Sequence, residues 1–153
     1  MAIYFLDSSA LVKRYVAEVG SAWVKDLFDP GIRNIIGAAV ITGVEVVAAV
    51  ARRQRGGSVQ PIDASRIILK FRGDFFTGLH LIEITPMVVD GAMKLAEVHG
   101  LRGYDAVQLG AALSLQSFSK STGLDVTFVC SDQKLNAVAI AEGLSVEDPN
   151  AHP

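Results

Sequence analysis

The sequence predicts a three-layer α/β/α sandwich built on a mainly parallel sheet of four to five strands. Short apolar runs rich in strand formers alternate along the chain with longer stretches of helical spacing. The runs are continuously apolar, as in strands buried on both faces; alternating polar residues would mark a sheet open to water. With 153 residues, half of them hydrophobic, the chain has the size and apolar content of one domain with one well-buried core. The expectation is a single domain over residues 1–153, ordered to about residue 148 and ending in a short tail.

In chain order, AIYFL (2–6) is the first strand. SALVKRYVAEVGSAWVKDLFD (9–29) shifts to helical spacing, with Leu11, Tyr15 and Val19 about a turn apart; Gly20 is expected to break it and Ser21 to cap a second helix. After the DPG turn (29–31), NIIGAAVI (34–41) is the second strand and GVEVVAAVARRQR (43–55) the helix that follows. ASRIILKFRGDFF (64–76) is a helix, LHLIEIT (79–85) the third strand, and Pro86 suits the first turn of the next helix, VVDGAMKLAEVHG (88–100). DAVQLGAALSLQSFS (105–119) is another helix and DVTFVC (125–130) the fourth strand. KLNAVAIAEG (134–143) is a helix stopped by Gly143, and LSVED (144–148) a short edge strand.

Composition sets limits. No apolar run approaches a bilayer-spanning length despite a mean hydropathy of +0.37, so the hydrophobicity belongs to a core or an interface. The amino terminus carries no secretory signal pattern, and Cys130, the single cysteine, excludes an intramolecular disulfide and a one-chain cysteine zinc cluster. A cytoplasmic protein with no membrane contact is expected. A net charge of −2 excludes nucleic-acid binding by bulk positive charge, so any such contact is local. Bases cluster at Lys13 and Arg14, at Arg52, Arg53 and Arg55, and at Lys70 and Arg72.

Asp7, Glu45, Asp105 and Asp132 stand at element junctions or inside apolar stretches, unlike the other acids. Each has an ordinary use as a helix cap: Asp7, Asp105 and Asp132 as N-caps, and Glu45 as the distant half of a capping box opened by Thr42. Their shared location points elsewhere. Asp7 and Asp132 directly follow strands, at the carboxyl edge where open α/β sheets bind ligands; Glu45 follows another strand, and Asp105 opens a helix starting near that edge. Clustered carboxylates raise one another's pKa unless a cation joins them, and an all-oxygen set suits Mg²⁺, with Mn²⁺ as the alternative. His80 and His99 read as strand and surface residues, which argues against zinc. Sites of this composition serve phosphate-ester chemistry.

These stretches, in this order, resemble the PIN-domain ribonucleases, in particular the VapC-type toxins of toxin–antitoxin pairs. YFLDSSALVKRYVAEVGS is similar to that family's first strand and acid, ITGVEVVAAVARRQRGG to its Glu-bearing helix, HGLRGYDAVQLGAAL to the third acid in its context, and TFVCSDQKLNAVAIAEGL to the last strand, hydroxyl and acid. The resemblance implies a PIN-like fold and a homodimeric, metal-dependent endoribonuclease held inactive by a small VapB-like antitoxin. It implies Asp7, Glu45, Asp105 and Asp132 as metal-site and catalytic carboxylates, with Ser9 and Ser131 as supporting hydroxyls. One departure is that Lys134 and Leu135 stand where many relatives carry a further acid.

Within that reading, Lys13, Arg14, Arg52, Arg53 and Arg55 are candidates to hold phosphates flanking the scissile bond. Trp23, Phe28, Phe71, Phe75 and Phe76 belong either to the core or to a subunit interface, and Tyr104 either packs or stacks on a base. The competing functions are a PIN-fold module that only binds RNA or protein, and a metal-dependent phosphatase on a related sheet. Ser9 in place of the second Asp of a D-x-D phosphatase motif counts against the latter.

Overall fold

The computed structural model describes residues 1–153. Strands β1 (Ile3–Leu6), β2 (Ile35–Ala39), β3 (His80–Ile82), β4 (Val126–Val129) and β5 (Ser145–Glu147) form one sheet in the order β3-β2-β1-β4-β5. Every neighbouring pair is parallel, so the edge strand expected near residue 144 is present as β5. Helices α1 (Ser8–Leu11), α2 (Ser21–Asp26), α3 (Thr42–Arg55) and α4 (Pro61–Thr77) cover one face; α5 (Pro86–His99), α6 (Gly103–Ser119) and α7 (Gln133–Ala141) cover the other. The period-2 geometry of a strand divides β1 between the two cores: Ile3 and Phe5 pack with α5–α7, and Leu6 packs with α1–α4. Phe5 stacks on its register partner Phe128 of β4, with ring centroids 5.9 Å apart.

The strand order positions the site. From β1 the chain winds outward through β2 to β3, then returns across the sheet to lay β4 on the other side of β1. The topology therefore reverses between β1 and β4, opening a crevice beyond their carboxyl ends. Asp7 follows β1 there, and Cys130, Ser131 and Asp132 follow β4.

The structure departs from the sequence expectations at three places. Residues 9–19 do not form one continuous helix up to Gly20: α1 ends at Leu11, a 3₁₀ turn spans Val12–Arg14, and the chain leaves helical geometry from there to Gly20. Lys13 explains the break, because its Nζ donates to the Val19 carbonyl (2.9 Å) and fixes the loop. Ser21 does not cap α2; its hydroxyl donates to the Val16 carbonyl (3.1 Å) and accepts the Glu18 N–H (2.8 Å). The expected tail beyond residue 148 is docked: Pro149 is buried, Asn150 accepts from Lys13 Nζ (3.1 Å), and His152 stacks on Trp23 with centroids 4.3 Å apart. Gly20 permits this, since it sits at φ 82° and a Cβ there would collide with the Pro149 carbonyl oxygen.

The aromatic residues divide between core and surface. Phe71 and Phe75 are buried, Trp23 and Phe28 are half-covered by His152 and Arg14, and Phe76 is exposed. No helix is long and apolar enough to cross a membrane.

Candidate active site

Asp7 is 5% exposed and performs the capping role its position predicts: its Oδ1 accepts from the Ala10 N–H (2.9 Å) and from the Ser9 hydroxyl (2.7 Å). Ser9 in turn accepts the Ser131 N–H (2.9 Å), so one hydroxyl ties the loop after β1 to the loop after β4. Cys130 lies in the same junction, its sulfur accepting the Asp132 N–H (3.2 Å). Asp132 N-caps α7 through the Leu135 N–H (3.0 Å). These short bonds hold the first and fourth acids at the reversal between β1 and β4.

Glu45 and Asp105 do not cap. The Thr42–Glu45 capping box is absent because Thr42 is already inside α3 and its buried hydroxyl pairs with the Gln108 amide, while Ile41 occupies the cap. Glu45 instead accepts from Gln108 Nε2. Asp105 lies in the first turn of α6, whose cap position is Arg102 with no side-chain bond. Both carboxylates are thus spared the ordinary role and left to the crevice, where α6 brings Asp105 to the carboxyl edge before β4.

The acids feel one another. Burial pushes the Asp7 carboxyl above its usual range, against the lowering effect of hydrogen bonds from Cys130, Ser9 and Ala10, and Asp105 adds to the rise. Burial likewise raises Glu45, with further rises from the charges of Asp7 and Asp105. Asp105 is raised by burial and then by Asp132, while Arg102 and Lys134 pull it down. Asp105, Asp132, Arg102 and Lys134 share a small recess of about 150 Å³. Lys134 therefore places a cation on the side where a fifth acid would repel Asp105 further.

In its chemistry, though not in its spacing, this donor set suits a hard divalent cation. It is all oxygen, its members repel one another, and the buried Ser131 hydroxyl beside it has no hydrogen-bond partner. No three His, Cys, Asp or Glu side chains stand close enough together to grip one ion. The carboxylates face one another at a range felt through charge.

A cavity of about 500 Å³ adjoins the acids, lined among others by Ser8, Ser9, Glu45, Arg52, Tyr104 and Ser131. The structure sorts the candidate bases around it. Lys13 is buried and committed to Val19, Asn150 and Glu18; Arg53 pairs with Glu18; Arg14 lies over the Phe28 ring, 3.8 Å from its centroid. Each of these three thus has an intramolecular partner, and Lys13 and Arg53 also line the cavity. Arg52 and Arg55 are exposed, and Arg52 lines the cavity. Tyr104 is 60% exposed on the cavity wall, so packing is not its use.

Sequence reasoning missed Gln108 and gave Thr42 only a capping role. The available signal was a single amide inside the apolar run AVQLGAAL, three residues after Asp105 and hence on the same face of the helix. Cys130, too, was read only for what its number excludes.

No family model matches the chain. Ribonuclease VapC45 of Mycobacterium tuberculosis is 30% identical to it over all 153 residues, covering the whole of both chains. Among solved structures, PAE2754 of Pyrobaculum aerophilum superposes with a TM-score of 0.61 at 23% identity, covering 98% of this chain and 85% of the other. A toxin–antitoxin complex from Klebsiella pneumoniae gives 0.58 at 16% identity, with 97% and 98% covered. The two superpositions bear out the PIN-like sandwich that the sequence led us to expect. Identity along the full length to a VapC ribonuclease, joined to acids that follow β1 and β4 at the sheet reversal, makes this chain a member of the VapC ribonuclease family.

Proposed function

We propose that the crevice between β1 and β4 hydrolyses RNA phosphodiester bonds with the help of Mg²⁺ or Mn²⁺, held by Asp7, Glu45, Asp105 and Asp132. The observation that carries this reading is the placement of Asp7, Glu45 and Asp105 at the carboxyl edge, where the charges of Asp7 and Asp105 both act on Glu45 and only Asp7 is spent on a cap. A bound divalent ion supplies a more acidic water and offsets charge developing on the phosphoryl oxygens. The protein's own groups do the rest. Ser9 fixes the Asp7 carboxylate, and Asp132 is held by its cap. The unpartnered Ser131 hydroxyl is free to orient a water or a phosphate oxygen. Arg52 and Arg55 offer cations to phosphates on either side of the scissile bond, and Tyr104 offers its ring face to a base.

On this reading the chain works in the cytoplasm as a toxin restrained by a small VapB-like antitoxin, supported by the toxin–antitoxin complex that shares its fold. Homodimerisation is supported by the exposed apolar side chains of Met87, Met93 and Val98 on α5. The experiment is cleavage of a mixed structured RNA pool by purified, antitoxin-free protein. Cleavage that requires Mg²⁺ or Mn²⁺, stops with EDTA and is lost in Asp7→Asn and Asp105→Asn supports the reading; equal cleavage by both variants refutes it.

A further inference from the structure

Gln108 is buried in the middle of α6 at 2% exposure, the other buried polar side chain of that helix being Ser119 at its end, and it serves the site through a second residue. Its Nε2 donates to Glu45 Oε2, and the fully buried Thr42 hydroxyl lies 2.9 Å from Nε2 and 3.1 Å from Oε1. A carboxylate only accepts, so Glu45 requires the amide nitrogen to face it, and the Thr42 hydroxyl, which both donates and accepts, braces the amide from its other side. Thr42 and Glu45 lie three residues apart on α3; Asp105 and Gln108 lie three apart on α6. Helical spacing puts each pair on one face, so α6 presents Asp105 directly and governs Glu45 through the amide.

We propose that Gln108 is a positioning residue, which, braced by Thr42, aims the Glu45 carboxylate at the divalent ion without neutralising it. This rests on the reading of Glu45 as a metal-site acid. A neutral donor suits the task. Arg or Lys at this position would fix the carboxylate equally well but would cancel the charge that attracts the cation, whereas an apolar residue would leave Glu45 free to swing and Thr42 unpartnered. Partners of ligating carboxylates typically contribute about 10- to 100-fold to metal affinity or activity.

The test is a Mn²⁺ titration followed by electron paramagnetic resonance on the full chain, with RNA cleavage measured in parallel, for Gln108→Leu, Thr42→Val, Thr42→Ser and Glu45→Gln. Gln108→Leu is expected to weaken Mn²⁺ binding about 10- to 100-fold and to lower kcat with KM for RNA unchanged. Thr42→Val shifts both in the same direction by less, and Thr42→Ser, which keeps the hydroxyl, restores wild-type values. Wild-type Mn²⁺ affinity and kcat in Gln108→Leu overturn the proposal. Should that variant not fold, wild-type values in Thr42→Val overturn it instead. Glu45→Gln separates the two levels: if it loses Mn²⁺ affinity while Gln108→Leu does not, the amide's role alone fails, and if it binds Mn²⁺ as the wild type does, the metal-site reading of Glu45 fails with it.

Discussion

Asp7 sits in a place that disfavours charge. Its folded-state pKa is raised chiefly by burial, so the folded chain holds the proton more tightly than the unfolded chain does. Stability of the ion-free protein therefore falls as pH rises from the ordinary carboxylate range through the raised value. Asn caps a helix about as well as Asp, so Asp7→Asn should raise Tm in EDTA at neutral pH, with the gap narrowing as pH is lowered. Calorimetry at two pH values checks this, and a lower Tm for the variant at neutral pH contradicts it. Divalent ions should reverse the balance: at about 100 times Kd, binding adds roughly 2.7 kcal/mol to the wild type and little to Asp7→Asn. At this scale the sequence was legible where an acid followed an apolar run, as at Asp7 and Asp132. It was silent on the surroundings of Lys13, because a cation's neighbours in sequence do not reveal that Val19 and Asn150 accept from it.

The bases that end α3 act as an element with two halves. Arg53 turns back to Glu18 while Arg52 and Arg55 are exposed, so the latter two are the more open to RNA. A double Arg52→Ala, Arg55→Ala variant should bind single-stranded RNA more weakly, with the slope of log K against log salt reduced by about 0.7 for every phosphate that the two arginines neutralise. Filter binding at several salt concentrations measures it; an unchanged slope refutes a phosphate-binding role for the pair. Lys13→Ala should instead unfold more easily at unchanged salt slope. The docked segment 149–152 depends on Gly20 in the same structural way. Gly20→Ala imposes a left-handed backbone on a side-chain-bearing residue and drives a Cβ into Pro149, costing about 1–3 kcal/mol by urea titration. Helical periodicity foretold α3 to α7 because their apolar faces are long. It overextended α1 because the periodic Leu11, Tyr15 and Val19 are drawn from a stretch whose packing is tertiary, such as Tyr15 against Phe71, and mimics a helix face.

For the molecule as a whole, the strand order turns four scattered acids into one neighbourhood. The run of buried strands made the parallel sandwich readable, and the acid-after-strand pattern marked its carboxyl edge. The order β3-β2-β1-β4-β5 itself was not readable, since local pattern does not say which strands become neighbours. Once β1 and β4 lie side by side, Ser9 bonds to Ser131 across the reversal and the metal-site reading acquires a physical frame. The measurement that tests this account most directly is the initial rate of cleavage of a labelled structured RNA against Mn²⁺ concentration, for wild type and Asp105→Asn. The account predicts a saturable dependence on Mn²⁺ that is abolished by EDTA, and a fall of more than about 100-fold in the variant, beyond what loss of an outer partner of a ligand costs. Cleavage that survives EDTA, or a variant as fast as the wild type, would contradict it.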